Sequence, residues 1–175
     1  MDNSRKIQNV SRFMSIACVL ALVVMPLLNL WIWLSIERLD GVSQGIPILP
    51  EFIGTSNKIF GFLASMIPTG FLMWGVWRLR ALFNLFSKSV FFTEANVQLL
   101  HSFAAMLLYS LLASPVADVL TSLAITIGYP EGQRTISLNL GSGDIDRLFI
   151  AIVFLAIAWV FKEGHKLATE NAEFV

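Results

Sequence analysis

The sequence predicts an all-helical membrane protein: a bundle of four transmembrane helices, with one amphipathic cytoplasmic helix between the second and the third. Two features of composition indicate this class. Of the 175 residues, 56% are hydrophobic and 14% are charged, whereas soluble domains carry roughly 25% charged residues. The charged residues also leave long uncharged runs between them. Lipid around much of the surface explains such a surplus of apolar residues, and the chain length suits one membrane domain.

The first three spans follow from the lengths of the uncharged runs, because a bilayer core of roughly 30 Å needs about 20 apolar residues. The runs 13–36, 59–77 and 95–117 have 24, 19 and 23 residues. The first run is too long for the apolar core of a secretory signal, so we expect it to be a retained helix.

The fourth run, 148–161, is shorter and has 14 residues. It spans if Arg147 and Lys162 extend their charged ends to the two interfaces. A short helix buried in the bundle is the alternative. We therefore expect a single membrane domain, 1–175, with spans at about 13–36, 59–77, 97–120 and 147–163.

The lysines and arginines predict the orientation of these spans. Eight lie in the N-terminal tail, the middle connection and the C-terminal tail, and four lie in the other two connections. Cytoplasmic segments carry the excess of basic residues. Both termini and the middle connection are therefore expected in the cytoplasm. Tryptophans are placed as in an aromatic belt, with Trp31 and Trp33 at the outer end and Trp74, Trp77 and Trp159 at the inner ends.

The middle connection contains the amphipathic helix, expected over residues 78–88. Its apolar residues follow the spacing i, i+3, i+4, i+7, which places them on one helical face: Leu79, Leu82, Phe83 and Phe86. We expect this stripe to enter the acyl boundary while the basic residues reach anionic headgroups. Thr93 is a suitable N-cap for the third span, with Glu94 in the first turn.

The C-terminal tail is expected to continue as a helix beyond Lys162 and to dock on the basic connection. At least one of its acids would then pair with a basic residue and orient a surface for a partner. The candidate partner surface comprises Arg78, Arg80, Lys88, Glu163 and Glu170. A disordered tail that only solvates the inner face is the alternative.

The other two connections differ in pattern. Glycines and prolines interrupt residues 37–58, so no regular element is expected there. In residues 135–140, Ile136, Leu138 and Leu140 alternate with polar residues. That period of two predicts a short strand or an extended cap over the bundle.

A polar face on the third span is the candidate membrane site: Ser110, Ser114, Asp118 and Ser122 at intervals of four, with Asn29 from the first span. One interpretation is a small cavity in which Asp118 binds a cation or a proton. The other, which we favour, is that the serines aid close helix packing and Asp118 marks the outer interface. Either way we expect the face to point into the bundle, near Asn29 or a ridge of small residues formed by Gly61, Ser65 and Thr69.

Several function classes have no support in the residues. Lys plus Arg equals Asp plus Glu at 12 each, so direct nucleic-acid binding is not expected. Cys18 is the only cysteine, which excludes an intrachain disulfide, a CxxC pair and a cysteine zinc cluster. His101 and His165 are far apart in sequence, which argues against a haem held by both. No catalytic motif, metal-ligand cluster or cofactor motif is present, so we expect no enzyme, metal or cofactor.

Two segments resemble a known family of small bacterial membrane proteins, domain of unknown function 2975. The first is Leu79-Arg80-Ala81-Leu82-Phe83 with Phe92-Thr93-Glu94-Ala95-Asn96-Val97 and Leu100. The second is Ile157-Ala158-Trp159-Val160-Phe161-Lys162-Glu163-Gly164 with Leu167, Glu170-Asn171 and Phe174-Val175. The family often has glycine where this chain has Ser89. The resemblance implies a four-span protein of the bacterial inner membrane, without assigned activity and often encoded beside a helix-turn-helix regulator.

The leading hypothesis is therefore a non-enzymatic membrane component that regulates or scaffolds a cytoplasmic partner. The alternative is a small transporter or channel-like component that uses the polar face around Asp118. An enzyme acting on lipid has no supporting residues. The partners expected are the lipid bilayer, a cytoplasmic protein or regulator, and further copies of the chain as a homo-oligomer.

Overall fold

The computed structural model describes residues 2–38, 42–43, 46–91, 93–138 and 142–173, and four long helices dominate this part of the chain. They are α1 (Asp2–Leu34), α2 (Thr55–Ser87), α3 (Glu94–Thr126) and α4 (Ser142–Glu173). Each helix packs mainly on its neighbour in the chain: α1 on α2, α2 on α3, and α3 on α4. The predicted all-helical class is confirmed.

Three of the helices are long and apolar enough to cross a membrane: α1 from Arg5 to Leu34, α2 and α3. A 33-residue helix such as α2 or α3 is about 50 Å long at 1.5 Å per residue, more than a bilayer core of roughly 30 Å requires. The side of α1 turned away from α2 exposes large apolar side chains, among them Phe13 at 65% and Leu20 at 60%. A row of apolar side chains that long is expected against lipid, because water would disfavour it.

The expected amphipathic helix over 78–88 is not a separate element. Residues 78–87 are the C-terminal part of α2, which continues without a break from its apolar part. The lipid-facing placement of the apolar stripe was also wrong for three of its members. Leu82 is buried in a cluster with Leu100 of α3 and Ala158 of α4, and Leu79 and Phe86 pack against this cluster. The stripe is apolar because it faces protein, and periodicity alone does not distinguish a protein neighbour from a lipid one.

The connection between α1 and α2 has regular elements, contrary to expectation. It has short 3₁₀ turns at Ile36–Arg38 and Pro50–Phe52, and two antiparallel strands, β1 (Val42–Ser43) and β2 (Ile46–Pro47). Val42 is opposite Pro47, and Ser43 is opposite Ile46. We call this connection, together with residues 127–138 after α3, the cap end of the molecule. The opposite end, residues 84–97, where α2 turns into α3, is the hairpin end.

The cap end has an apolar core of its own. Its buried members come from α1, the connection and the end of α3: Trp33, Ile36, Ile46, Ile53, Ala124, Ile125 and Tyr129. The hydroxyl of Tyr129 accepts a hydrogen bond from the Leu49 N–H at 2.8 Å and donates one to the Pro47 carbonyl at 3.1 Å. These two bonds tie the end of α3 to the connection that precedes α2. Trp33 is therefore a core residue at 6% exposure, whereas Trp31 is 60% exposed, as expected for a belt.

The prediction for residues 135–140 was a short strand or an extended cap, and residues 135–138, the part that the structure describes, form no strand. Residues 135–138 have no regular structure, and Leu140 lies outside the described residues. Ile136 and Leu138 are 63% and 60% exposed. The backbone carbonyl of Thr135 accepts a hydrogen bond from Thr126 Oγ1 at 3.2 Å, which joins this segment to the end of α3.

Candidate functional site

The hairpin end is formed where α2 ends at Ser87 and α3 begins at Glu94, seven positions further along the chain. Ser89 has φ of 58°, in the left-handed region. The N–H groups of Ser89 and Val90 donate to the carbonyls of Phe86 and Leu85, at 3.0 and 3.1 Å. This crossed pair of bonds is a Schellman motif, in which glycine is the usual left-handed residue. The frequent glycine of the resembling family at this position has a direct physical explanation in that geometry.

The start of α3 is fixed by two side chains. Thr93 Oγ1 accepts from the backbone N–H of Asn96 at 3.4 Å, so the predicted N-cap is confirmed. The fully buried Asn96 side chain donates from Nδ2 to the Val90 carbonyl at 3.0 Å. Asn96 thereby holds the loop against the first turn of α3. The polar residues of the first family-like segment thus have a structural role at the hairpin end.

An open groove lies beside this end, between α3 and α4. Its volume is about 1050 Å³. Val97, Leu155, Ala158 and the side of Trp159 form apolar walls. The polar side chains along it carry both signs of charge and include both histidines of the chain: Glu94, Gln98, His101, Ser102, Lys162, Glu163, His165 and Lys166. Parts of the two family-like segments meet here: Glu94 and Val97 of the first are on α3, and residues 158, 159, 162 and 163 of the second are on α4.

His101 and His165 line the same groove, although their separation in the sequence does not indicate this. His101 is about two turns from the start of α3, and His165 is near the end of the antiparallel α4. Antiparallel packing brings these two positions to the same end of the molecule. Among the described residues, no group of three or more His, Cys, Asp or Glu side chains is placed to hold a metal ion.

A second, smaller cavity of about 350 Å³ lies between α2, α3 and α4. Of the predicted polar face, Ser110, Ser114 and Asp118 line it. Thr69 of α2 and Arg147 of α4 line it as well. The sequence predicts Arg147 only as a charge at the end of the fourth span, and the spacing of the α3 residues does not indicate that it lines this cavity.

The serines of the polar face also serve the packing of the helices. Ser110 Oγ donates to the Pro68 carbonyl of α2 at 2.8 Å. Ser114 Oγ donates to the Leu111 carbonyl at 2.7 Å, which Pro115 leaves without its usual helical N–H donor. Ser122 is fully buried and donates to the Val119 carbonyl at 2.8 Å, away from the cavity lining.

Asn29 belongs to α1 and contacts the side of α2 that packs on α1. Its Oδ1 accepts from Ser65 Oγ at 2.8 Å, and Ser65 Oγ accepts from Trp33 Nε1 at 2.9 Å. Gly61, one turn before Ser65, makes room for the Trp33 ring. The ridge of Gly61, Ser65 and Thr69 therefore packs closely against α1, as its small side chains predict.

The basic part of the candidate partner surface is held by aromatic rings. The guanidinium of Arg78 lies 5.8 Å from the ring centre of Trp74, and that of Arg80 lies 5.2 Å from that of Trp77. Within the described residues, no ion pair joins Arg78, Arg80 or Lys88 to Glu163. The side chain of Glu170 lies outside the described residues. The predicted helical continuation of the tail is confirmed, since α4 extends to Glu173.

Comparison with known proteins gives a family match. A family model described as a protein of unknown function (DUF2975) matches residues 49–175. The match begins in the cap end and includes the hairpin end, the groove and the cavity. No curated protein and no solved structure matches the chain.

Proposed function

Because this chain belongs to the DUF2975 family of unknown function, we propose its function from its own geometry. It is a non-enzymatic integral protein of the bacterial inner membrane that holds a cytoplasmic protein partner in the groove between α3 and α4. The occupant is an amphipathic helix of that partner. Binding there places the partner at the membrane and gives the protein a regulatory or scaffolding role.

The groove is the observation that carries this proposal. At about 1050 Å³ it is as large as the largest small-molecule sites, and it is open along two helices. Apolar walls with a charged margin are the surface that an amphipathic helix recognises. Glu94 and Glu163 can pair with basic residues of a partner, and Lys162 and Lys166 can pair with acidic ones.

The basic residues support a position of the groove at the cytoplasmic face of the membrane. Eight of the twelve lie in the two tails and in the segment around the hairpin end, and cytoplasmic segments carry such an excess. This orientation requires α4 to be the fourth span, with both termini in the cytoplasm. Trp74, Trp77 and Trp159, each more than half exposed, then lie at the inner interface.

Site-specific photo-crosslinking in living cells tests the proposal. A photoreactive amino acid replaces Gln98 at the groove and, as the matched control, Ile136 at the cap end. We expect one protein adduct from position 98 and none of that mass from position 136. The double substitution Lys162→Glu and Lys166→Glu should abolish the adduct at equal expression, because it reverses the basic charge of the groove. An adduct that survives this reversal, or no protein adduct at position 98, would contradict the proposal.

A transporter or channel-like component is the second candidate function. One observation favours it: Asp118 lines a cavity rather than only an interface. Such a function would require the cavity to open in turn to each side of the membrane. A flux of solute into vesicles that Asp118→Asn abolishes and the groove double substitution spares would replace the first proposal with this one.

A further inference from the structure

We propose that the cavity between α2, α3 and α4 is a binding site for a small zwitterion that carries a primary ammonium and a carboxylate, as an amino acid does. The ammonium faces Asp118, and the carboxylate faces Arg147. This inference is independent of the groove, which lies near the hairpin end and shares no lining residue with the cavity.

The hydroxyls of the cavity are arranged to accept hydrogen bonds. A hydroxyl has one hydrogen to donate and two lone pairs. Thr69, Ser110 and Ser114 each direct that hydrogen at a backbone carbonyl, with donor–acceptor distances of 2.9, 2.8 and 2.7 Å. Their remaining capacity is therefore that of acceptors, and Thr69 Oγ1 already uses one lone pair to accept from Asn29 Nδ2 at 3.5 Å. Together with the carboxylate of Asp118, these hydroxyl oxygens can accept hydrogen bonds from a ligand group that has several donors. A primary ammonium has three hydrogen-bond donors.

The positive charge of Arg147 indicates the second charged group of the ligand, which is the carboxylate. Its side chain is 67% exposed, and its Nη1 lies 3.4 Å from Asp144 Oδ1. Arg147 therefore lines the cavity from its open side, where a ligand carboxylate can reach the guanidinium. A guanidinium binds carboxylates with directed N–H donors and repels a bare cation. The opposite charges of Asp118 and Arg147 thus favour a zwitterion over an inorganic cation.

The size of the cavity agrees with this class. A volume of about 350 Å³ is near the lower end for small-molecule sites. It admits an amino acid of a few carbon atoms with some water, and it excludes a folded peptide. The packing role of Ser110 and Ser114 does not conflict with binding, because the same donated hydrogen bonds leave the acceptors facing the cavity.

Binding to the full chain in lipid nanodiscs tests the inference. The probes are glycine, β-alanine and γ-aminobutyrate, whose ammonium and carboxylate are progressively further apart. The matched controls are n-butylamine, which lacks the carboxylate, and butyrate, which lacks the ammonium. By calorimetry we expect one of the three zwitterions to bind at least about tenfold more tightly than either control, since each control loses a charged hydrogen-bond partner.

Substitutions test which side chain of the protein binds each charged group of the ligand. Asp118→Asn should weaken binding of the preferred zwitterion by about tenfold or more, and Arg147→Gln should remove its preference over n-butylamine. Glu131→Gln, an exposed change in the connection after α3, is the control and should bind as the unmodified chain does. Because Arg147 is mostly exposed, its variant decides the question even where Asp118→Asn does not fold. Failure of all three zwitterions to bind, or an unchanged preference in Arg147→Gln, would overturn the inference and leave the partner groove unaffected.

Discussion

Gly61 shows how one residue determines the approach of two helices. A Cβ atom at this position would overlap the ring of Trp33, so only the hydrogen of glycine fits. The indole then reaches across the interface, and its Nε1 donates to Ser65 Oγ at 2.9 Å. Gly70, in the same helix, has no atom within 4 Å of a Cβ built on it. The two glycines therefore differ in their tolerance of a methyl group.

Gly61→Ala should lower the free energy of unfolding by about 1–3 kcal/mol, because the added methyl forces the Trp33 ring out of its position. Gly70→Ala is the matched control and should be neutral or stabilising by up to about 1 kcal/mol, since alanine favours the helix. Reversible unfolding in mixed micelles, followed by tryptophan fluorescence, measures both. Equal stability of the two variants would show that the Trp33 contact does not constrain the interface.

The sequence predicted the small residues of α2 in this contact, but it did not predict the role of Trp33. Small residues at positions 61, 65 and 69 share a helical face, so periodicity is enough to identify the ridge. Trp33 was assigned with Trp31 to an interfacial belt because both are near the end of the same apolar run. Two positions separate them, or about 200° around a helix. Only the position of α2 shows which of the two is buried.

The cap end is the element that differs most from expectation. Its glycines and prolines predicted no regular element, whereas short 3₁₀ turns and two strands form there. The alternation of loop residues does not reveal a core formed with distant helices. Ile46, at 2% exposure, and Tyr129, also at 2%, lie in the same cluster. This cluster joins segments far apart in sequence, and short-range patterns carry no information on such contacts. By contrast, the Thr93 cap was predictable because it depends on neighbours within three residues.

Tyr129→Phe tests how strongly this element is held together. The change leaves the Leu49 N–H and the Pro47 carbonyl without their shared partner, so we expect a loss of about 1–3 kcal/mol in unfolding free energy. Tyr109→Phe is the control: that tyrosine is 50% exposed, and its change should stay within about 0.5 kcal/mol. Proteolysis within residues 37–58 provides a local readout, because an opened cap end is cut faster. Equal cutting of the two variants would contradict the assigned role of the hydroxyl.

At the scale of the whole molecule, the candidate sites depend on helices that adjoin in space. The serine face of α3 was predictable from spacing. The place of Arg147 in the cavity and the groove between α3 and α4 were not predictable, because both depend on the position of α4. Composition and run length were sufficient to predict the helical class, since they sum over many residues. A site formed between elements needs their packing as well.

The proposed orientation gives a direct prediction. Alkaline phosphatase, active only when exported, should be inactive when fused after Val175 and active when fused after Glu131, because the basic excess keeps the former end in the cytoplasm. A green fluorescent protein fusion at the same two positions should give the opposite result. An active phosphatase at the C-terminus would mean that α4 does not cross the membrane, and the groove would then lose its cytoplasmic position.

The packing of each helix on its chain neighbour also bears on biosynthesis. A chain leaving the ribosome exposes its segments in order, and segments that adjoin in sequence meet first. α1 can pack on α2 before α3 exists, and α2 on α3 before α4 exists. The cap end is the exception, because its core needs Ala124, Ile125 and Tyr129 from the end of α3. During synthesis, Ile36, Ile46 and Ile53 have only Trp33 and each other as buried partners until the end of the third helix has been made, so this core is completed only after that helix.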